Sequence, residues 1–406
     1  MIKRNIQFSP PDISDQEIDE VVAAMRSGWI TTGPRTKEFE RKISEYCGTN
    51  KTVCLNSATA ALEMSLRILG VGPGDEVITS AYTYTASASV IEHVGAKIVL
   101  VDVEPGTYHI DYDALAAAIT DKTKVVIPVD IGGMMIDYDK VFAAVESRKS
   151  LYHPSTNVYQ RLYDRPVVIA DAAHSFGASW HGKMSGAAAD ATCFSFHAVK
   201  NLTTAEGGAV TWLDRDGLDN EKLYKEFQLL SLHGQNKDAH AKFGPGGWEY
   251  DIIYTGYKCN MTDLTAAFGL KQLERFPSLL LRRSKIYRIY DEKLLGLGIE
   301  RMAHEGADFQ GNYHLYLTRV PGMTLEQRNK IMARMDNEFG IACNVHFKPL
   351  PMMTAYKNLG FDIKDYPNAN AQFANEITLP MHTMLTNDDV EFVADRFAEC
   401  IASTIA

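Results

Sequence analysis

The sequence has little that would send it outside the cell, into a bilayer or onto nucleic acid. No apolar run approaches the roughly 20 residues that a membrane-spanning helix needs, and Met1-Ile-Lys-Arg-Asn5 lacks the apolar core of a secretory signal. A basic surplus is missing too. With 41 Lys and Arg against 51 Asp and Glu the formal net charge is −10, and no cationic run is longer than Arg282-Arg283. That leaves no electrostatic footprint for nucleic acid. Cysteine is sparse: Cys47, Cys54, Cys193, Cys259, Cys343 and Cys400 include no C-x-x-C pair. Neither a disulfide framework nor a zinc or other metal site is expected from them. A reducing cytoplasm fits these absences.

What remains is ample for a large core. The chain has 406 residues, 46% of them hydrophobic, enough for two structural domains. From Lys51 to about Leu213 short apolar runs alternate with helical stretches, the pattern of a largely parallel α/β sheet covered by helices. The expected strands are Val53–Leu55, Glu76–Thr79, Lys97–Val101, Lys124–Val129, Val167–Ala170, Ala191–Phe196 and Ala209–Trp212. Before them, Ser14-Asp-Gln-Glu17 has capping-box spacing and opens a helix with Ile18, Val21, Val22 and Met25 on one face. Thr36 to Tyr46 reads as a second amphipathic helix.

After the sheet, Thr262 opens a helix that Pro277 is expected to break, with a second stretch from Ser278 to Leu295. Asn312–Thr318 and Ala342–Phe347 read as strands, Thr324-Leu-Glu-Gln327 caps a helix, and a closing helix follows Thr386. The expected organisation is an arm over 1–30, a large domain over 31–276 and a smaller α+β domain over 277–406.

The chemistry centres on Lys200, in a loop between the runs ending at Phe196 and beginning at Ala209. A loop lysine taken alone is usually a solvated charge. One held between two strands cannot reach solvent as freely, so its ammonium needs an anionic partner or a covalent use such as a Schiff base with an aldehyde cofactor. Upstream, the buried run Val167–Ala170 ends in Asp171-Ala-Ala-His174. Ligand groups in open α/β sheets collect at the carboxyl ends of strands, so Asp171 and Lys200 can face one crevice. An acid able to pair with a pyridinium nitrogen, with a lysine able to form an imine, is the minimal pair for pyridoxal 5′-phosphate. Asn56-Ser-Ala-Thr-Ala60 turns from a strand into an apolar-periodic helix. It offers free backbone N–H groups and the Ser57 and Thr59 hydroxyls to a phosphate, although such residues at a helix start are more often caps.

The succession N-S-A-T-A-A-L (56–62), D-A-A-H-S-F-G-A (171–178), S-F-H-A-V-K-N-L-T-T-A-E-G-G (195–208) and G-Y-K-C-N-M-T-D-L-T-A-A (256–267) resembles the DegT/StrS-type nucleotide-sugar aminotransferase family over nearly the whole chain. The resemblance implies the fold type I architecture of pyridoxal-phosphate-dependent transferases, with a mostly parallel seven-stranded sheet and a smaller C-terminal α+β domain. It implies that Lys200 carries the cofactor and shuttles the proton, and that Asp171 keeps the pyridine nitrogen protonated. Tyr84 would stack on the ring and His174 lie beside it, with Ser57, Ala58, Thr59 and Ser195 forming the phosphate cup. It further implies that the 1–30 arm packs on the C-terminal domain.

One motif departs from the commoner form. Where many members have G-Y-N-x-R, this chain has Gly256-Tyr-Lys258-Cys-Asn260, similar to a variant form also found in the family. Lys258 is then the expected phosphate contact in the partner subunit of an obligate homodimer with shared active sites. Dehydratases of the family carry His in place of the lysine, so Lys200 points to amino transfer. The reaction so implied moves an amino group from an amino acid, L-glutamate by analogy, to a nucleotide-linked keto sugar, in surface-polysaccharide, glycan or amino-sugar biosynthesis.

Other stretches stay open. Asp130-Ile-Gly-Gly-Met134 either closes a turn or admits a substrate, and 147–164 is a polar, aromatic insertion without a legible role. The Gly244-Pro-Gly-Gly247 stretch resembles a loop near the site of the dimer, and His346-Phe-Lys348 a segment near the substrate. Arg319, Arg328, Arg334 and Arg396 carry no assignment. Two alternatives remain: another fold type I enzyme acting on amino acids, and a non-catalytic regulator or scaffold.

Overall fold

A computed structural model describes residues 3–236 and 250–405. The β-branched runs form β1 (Thr52–Leu55), β2 (Glu76–Ser80), β3 (Lys97–Val101), β4 (Thr123–Ile127), β5 (Val167–Asp171), β6 (Ser179–Trp180), β7 (Lys183–Met184), β8 (Ala191–Ser195) and β9 (Gly208–Trp212). Seven of them make one sheet in the order β1-β9-β8-β5-β4-β2-β3. From β3 across to β8 neighbouring strands run parallel, and β9 runs antiparallel to both β8 and β1. β2, β4, β5 and β9 are buried along their whole length, as strands covered on both faces must be.

The covering helices are α1 (Asp15–Arg26), α2 (Pro34–Cys47), α3 (Ala58–Ile68), α4 (Ala86–His93), α5 (Tyr112–Ala118), α6 (Tyr138–Ser147) and α7 (Asn220–Ser231). The Ser14 capping box is formed, so α1 starts where its sequence signals it. Downstream come α8 (Asp263–Leu294), α9 (Leu325–Phe339), α10 (Thr354–Asn358), α11 (Pro367–Asn375) and α12 (Asn387–Ile405). They pack with β10 (Glu300–Arg301), β12 (Tyr316–Arg319) and β13 (Glu376–Leu379), a three-stranded antiparallel sheet, while β11 (Phe309–Gln310) joins the β6–β7 hairpin.

Three expectations about elements need correcting. Helix α8 runs unbroken through Pro277. An interior proline costs about 3 kcal/mol, but its neighbours Phe276 and Leu279 are buried, and burial of side chains that size returns roughly 1.5–3 kcal/mol each. The chain therefore passes from one sheet to the other along a continuous rod, with no break at 276/277. Second, Asn312–Leu315 is not strand: Tyr313 adopts a φ of 54°, and Asn312 and Leu315 donate to Gly133 O and Gly132 O, both at 3.0 Å. Third, Ala342–Phe347 is not a strand: among the described residues its backbone pairs with that of β13 only at Asn344, bonded both ways to Thr378, and His346 then meets the side chains of Glu376 and Thr378.

The amino-terminal segment pairs with the C-terminal unit. Arg4 N donates to Phe339 O at 2.9 Å, Ile6 N to Gly340 O at 2.8 Å, and the Arg4 guanidinium bridges Asp388 and Asp389. Helix α1 itself lies on the first half of α8, where Glu17 meets Gln272 and Arg275. The 147–164 insertion is pinned against the end of α3, with Gln160 donating to Leu69 O at 2.7 Å and Lys124 to His153 O at 2.7 Å.

Candidate active site

The carboxyl ends of β1, β5 and β8 open into one cleft of about 480 Å³ whose other wall comes from the C-terminal unit. Ser57, Ala58, Thr59, Tyr84, Asp171, His174, Ser195 and Lys200 all line it. Among the residues singled out from sequence, Lys258 does not. It is exposed, on the segment after α7, and bonded to Asn260 Oδ1 within its own chain.

One end of the cleft is the start of α3. Ser57 caps that helix, its Oγ accepting from Ala60 N at 3.1 Å, and leaves the Ala58 and Thr59 amides at an open, positive helix end. The turn is backed tightly by β9: a Cβ on Gly208 would stand 2.3 Å from Ser57 C and 2.4 Å from Ala58 N. Only glycine lets the strand pass so close. Ser195, at the end of β8, adds a hydroxyl to the same cup.

Asp171 ends β5 and is buried. Ser87 donates to its Oδ2 at 2.6 Å and Ala173 N to its Oδ1 at 3.2 Å. Burial pushes the carboxyl above its ordinary range, against those bonds and the attraction of Lys200. Lys200 is half-buried in the cleft, and the enclosing walls pull its ammonium down to about 8 despite the attraction of Asp171. Tyr84 exposes 61% of its surface, leaving its ring free to cover a planar ligand.

His174 is held in one tautomer. Its Nδ1 accepts from Gly132 N at 3.1 Å, and burial beside Lys200 drives the ring's pKa well below the ordinary value, so the neutral ring carries its proton on Nε2. The glycines after β4 serve the opposite wall rather than a ligand. A Cβ on Gly133 would lie 2.1 Å from Asn312 Oδ1 and 2.8 Å from His314 N.

Several residues of the site were invisible to sequence reasoning. Ser87, steadied by Thr83 at 2.8 Å, is one, and no motif signals it. Phe8 and Ser9 of the arm reach the cleft, Phe8 stacking on His346 at 5.6 Å between ring centroids. Asn312 is a buried hub. Its Nδ2 donates to His174 O at 2.6 Å and Phe176 O at 2.8 Å, its Oδ1 accepts from His314 N at 3.0 Å, and its carbonyl accepts from Asn201 Nδ2 at 2.7 Å. It thus ties the loops of His174 and Lys200 to the C-terminal wall. Arg283 holds that wall from behind by donating to Tyr313 O, His314 O and Met381 O. Arg328, left without an assignment by the sequence, is buried and donates to Phe373 O and Glu376 O.

A lysine with a depressed pKa, a buried acid drawn to that lysine, an exposed aromatic face and an open helix end suit a planar, phosphorylated aldehyde. The fold and this set define a fold type I pyridoxal-phosphate-dependent transferase.

Comparison with known proteins narrows the class. Residues 11–398 match the model of the DegT/DnrJ/EryC1/StrS aminotransferase family, and the chain belongs to that family. The putative sugar aminotransferase Spr1654 of Streptococcus pneumoniae, solved in its PMP form, superposes with a TM-score of 0.96 at 55% identity, over 98% of this chain and 100% of that one. The spore coat polysaccharide biosynthesis protein SpsC of Bacillus subtilis is 36% identical over 98% of both chains. Helicobacter pylori PseC, an aminotransferase involved in the biosynthesis of pseudoaminic acid, matches at 25% identity with a TM-score of 0.84, over 98% of this chain and 100% of that one. The protein is a pyridoxal-phosphate-dependent aminotransferase. No described helix is long and apolar enough to cross a membrane.

Proposed function

We propose that the protein transfers the amino group of L-glutamate to a nucleotide-linked keto sugar, for a surface polysaccharide or related glycan, in the cytoplasm. The observation that carries this reading is the meeting of Lys200, Asp171 and the α3 amino terminus in one cleft. The sugar is supported by the named relatives and by the rim. The rim offers His197, Glu206, His346, Asn344 and Ser9 as partners for hydroxyls.

Pyridoxal phosphate, when bound, supplies the electron sink that makes the carbon bearing the amine acidic. Ser57, Ser195 and the amides of Ala58 and Thr59 would hold its phosphate, Tyr84 would cover its ring, and His174 would donate from Nε2 at its edge. Asp171 would keep the proton on the pyridine nitrogen. Lys200, whose depressed pKa of about 8 gives it far more free amine near neutral pH than an ordinary lysine has, takes the proton from the donor's carbon and returns one to the sugar carbon, so a single base serves both halves and ping-pong kinetics follow.

Lys258 completes the phosphate site of the partner subunit in a homodimer. Exposed apolar side chains beside it in sequence, Ile252, Ile253 and Tyr257, support an interface there. Lys258→Ala is expected to lower cofactor retention without changing the sedimentation of the dimer; full retention would remove the shared-site assignment. The function itself is tested by incubating the holoenzyme with L-glutamate and a panel of nucleotide-linked keto sugars and detecting the amino sugar and 2-oxoglutarate by mass. Production of both in equal amounts is the expected result. Amination of amino-acid-derived keto acids alone would replace the sugar reading.

A further inference from the structure

We propose that Glu376, acting through Thr378, decides whether His346 presents a hydrogen-bond donor or an acceptor to the cleft. Glu376 and Thr378 sit on β13, both fully buried, one strand behind the cleft wall. Both oxygens of the acid are spent on His346 or its neighbour. The His346 amide donates to Oε2 at 2.9 Å, and the Thr378 hydroxyl lies 2.5 Å from Oε1 and 2.9 Å from His346 Nδ1.

That hydroxyl has a single proton, so it cannot donate in both directions. With Glu376 ionised it must donate to the acid and accept from Nδ1–H. The imidazole is neutral, pulled down to about 3 by burial and by Lys200, and Nε2 is then a bare acceptor. With Glu376 protonated the order reverses: the acid donates to Thr378, Thr378 to Nδ1, and Nε2 carries the proton. His346 lines the cleft, and its Nε2 has no protein partner among the described residues.

Burial pushes Glu376 up to about 8, against the bonds from Thr378 and the His346 amide and the attraction of Arg328 on α9. Both orders are thus accessible at ordinary pH. The other ionisable groups that face this chain are Tyr82 and Tyr108 from the large-sheet side, Cys343 beside Asn344, His314 on the same wall, and Lys200 and His174 across the cleft. Tyr82 also pins the segment, its hydroxyl donating to His346 O at 2.9 Å, so the ring stays placed whichever way the protons point.

Glu376 and Thr378 are positioning residues. On the reading that the substrate is a keto sugar, they select between a hydroxyl that donates and a carbonyl or hydroxyl oxygen that accepts. The test is long-range proton–nitrogen NMR of the holoenzyme labelled in its histidine rings, with His346 assigned from a His346→Asn variant. As pH rises through about 8, the His346 proton is expected to move from Nε2 to Nδ1. In Thr378→Val that pH-dependent exchange is lost while the cofactor absorbance of the folded holoenzyme stays near wild type, although the thermal midpoint falls because Glu376 loses a buried partner. In Glu376→Gln the His346 signals become independent of pH.

One tautomer throughout in the wild-type protein, or the same exchange in Thr378→Val, overturns the proposal. The NMR result needs no substrate. A normal exchange in an enzyme that aminates no keto sugar would therefore sink the functional reading alone, and a missing exchange in an active sugar aminotransferase would sink this one alone.

Discussion

The two walls of the cleft are built in different ways. On the large-sheet side, Ser57, Asp171 and Ser195 stand at or within two residues of the ends of β1, β5 and β8, and Lys200 five residues past β8. Their places follow from strands that end where the apolar runs end. On the opposite side, His314 and His346 sit in irregular segments, held by Arg283, Thr378 and Glu376 from elsewhere in the chain and by Asn312, which ties the His314 segment to the loops of His174 and Lys200. The chemistry thus rests on locally determined geometry, and the recognition wall on long-range hydrogen bonds. In the terms proposed above, a change on the first side should strike the reaction, and a change on the second should strike folding and selectivity.

The largest effect should come from Lys200→Ala. Loss of both the covalent attachment and the base is expected to cut turnover by at least about 10³-fold, with the denaturation midpoint little changed, as steady-state kinetics and a urea titration would record. A comparable rate loss from a change on the far wall, without loss of stability, would break the contrast.

Asn312→Ala is the matching change on that wall. It strips His174 O and Phe176 O of their donors and should destabilise the protein by about 2–4 kcal/mol, since each buried group left unpaired costs roughly 1–3 kcal/mol. Turnover of the folded fraction should fall far less than in Lys200→Ala. A variant as stable as wild type would show that Asn312 does not hold the loops together.

A smaller effect is expected at Glu40, a buried acid in α2 remote from the cleft, which accepts from Cys54 N and the Tyr224 hydroxyl. Burial raises it to about 7, so it binds its proton more tightly folded than unfolded. Its share of stability is whole below the unfolded value and is lost as pH rises through about 7. Glu40→Gln should flatten the decline in thermal midpoint between about pH 5 and about pH 8; an unchanged slope would assign the decline to other acids.

The same contrast explains what the sequence made legible. Short apolar runs marked all seven strands of the large sheet, and the segments ending them held the residues of the first wall. The motifs in register identified the family, which no single residue could. The second wall was opaque for physical reasons. Asn312–Leu315 alternates like a strand, but its backbone bonds go to Gly132 and Gly133, nearly two hundred residues away in sequence, which only the folded chain brings near. Pro277 signals a helix end, and burial of its neighbours overrides it. Glu376 lies in no motif, and only the fold shows it as a buried partner of His346. The expectation about Gly244-Pro-Gly-Gly247 lies outside the described residues.

The most direct test of the central claim is the rate at which the apoenzyme takes up pyridoxal phosphate, followed by visible absorbance across pH in wild type and in Lys200→Ala. A free amine is required, so the wild-type rate should rise with pH to a midpoint near about 8, the band should bleach on adding L-glutamate, and the variant should form no such band. A midpoint near about 10.4, the value of an ordinary lysine, or an equal band in Lys200→Ala, would contradict the account.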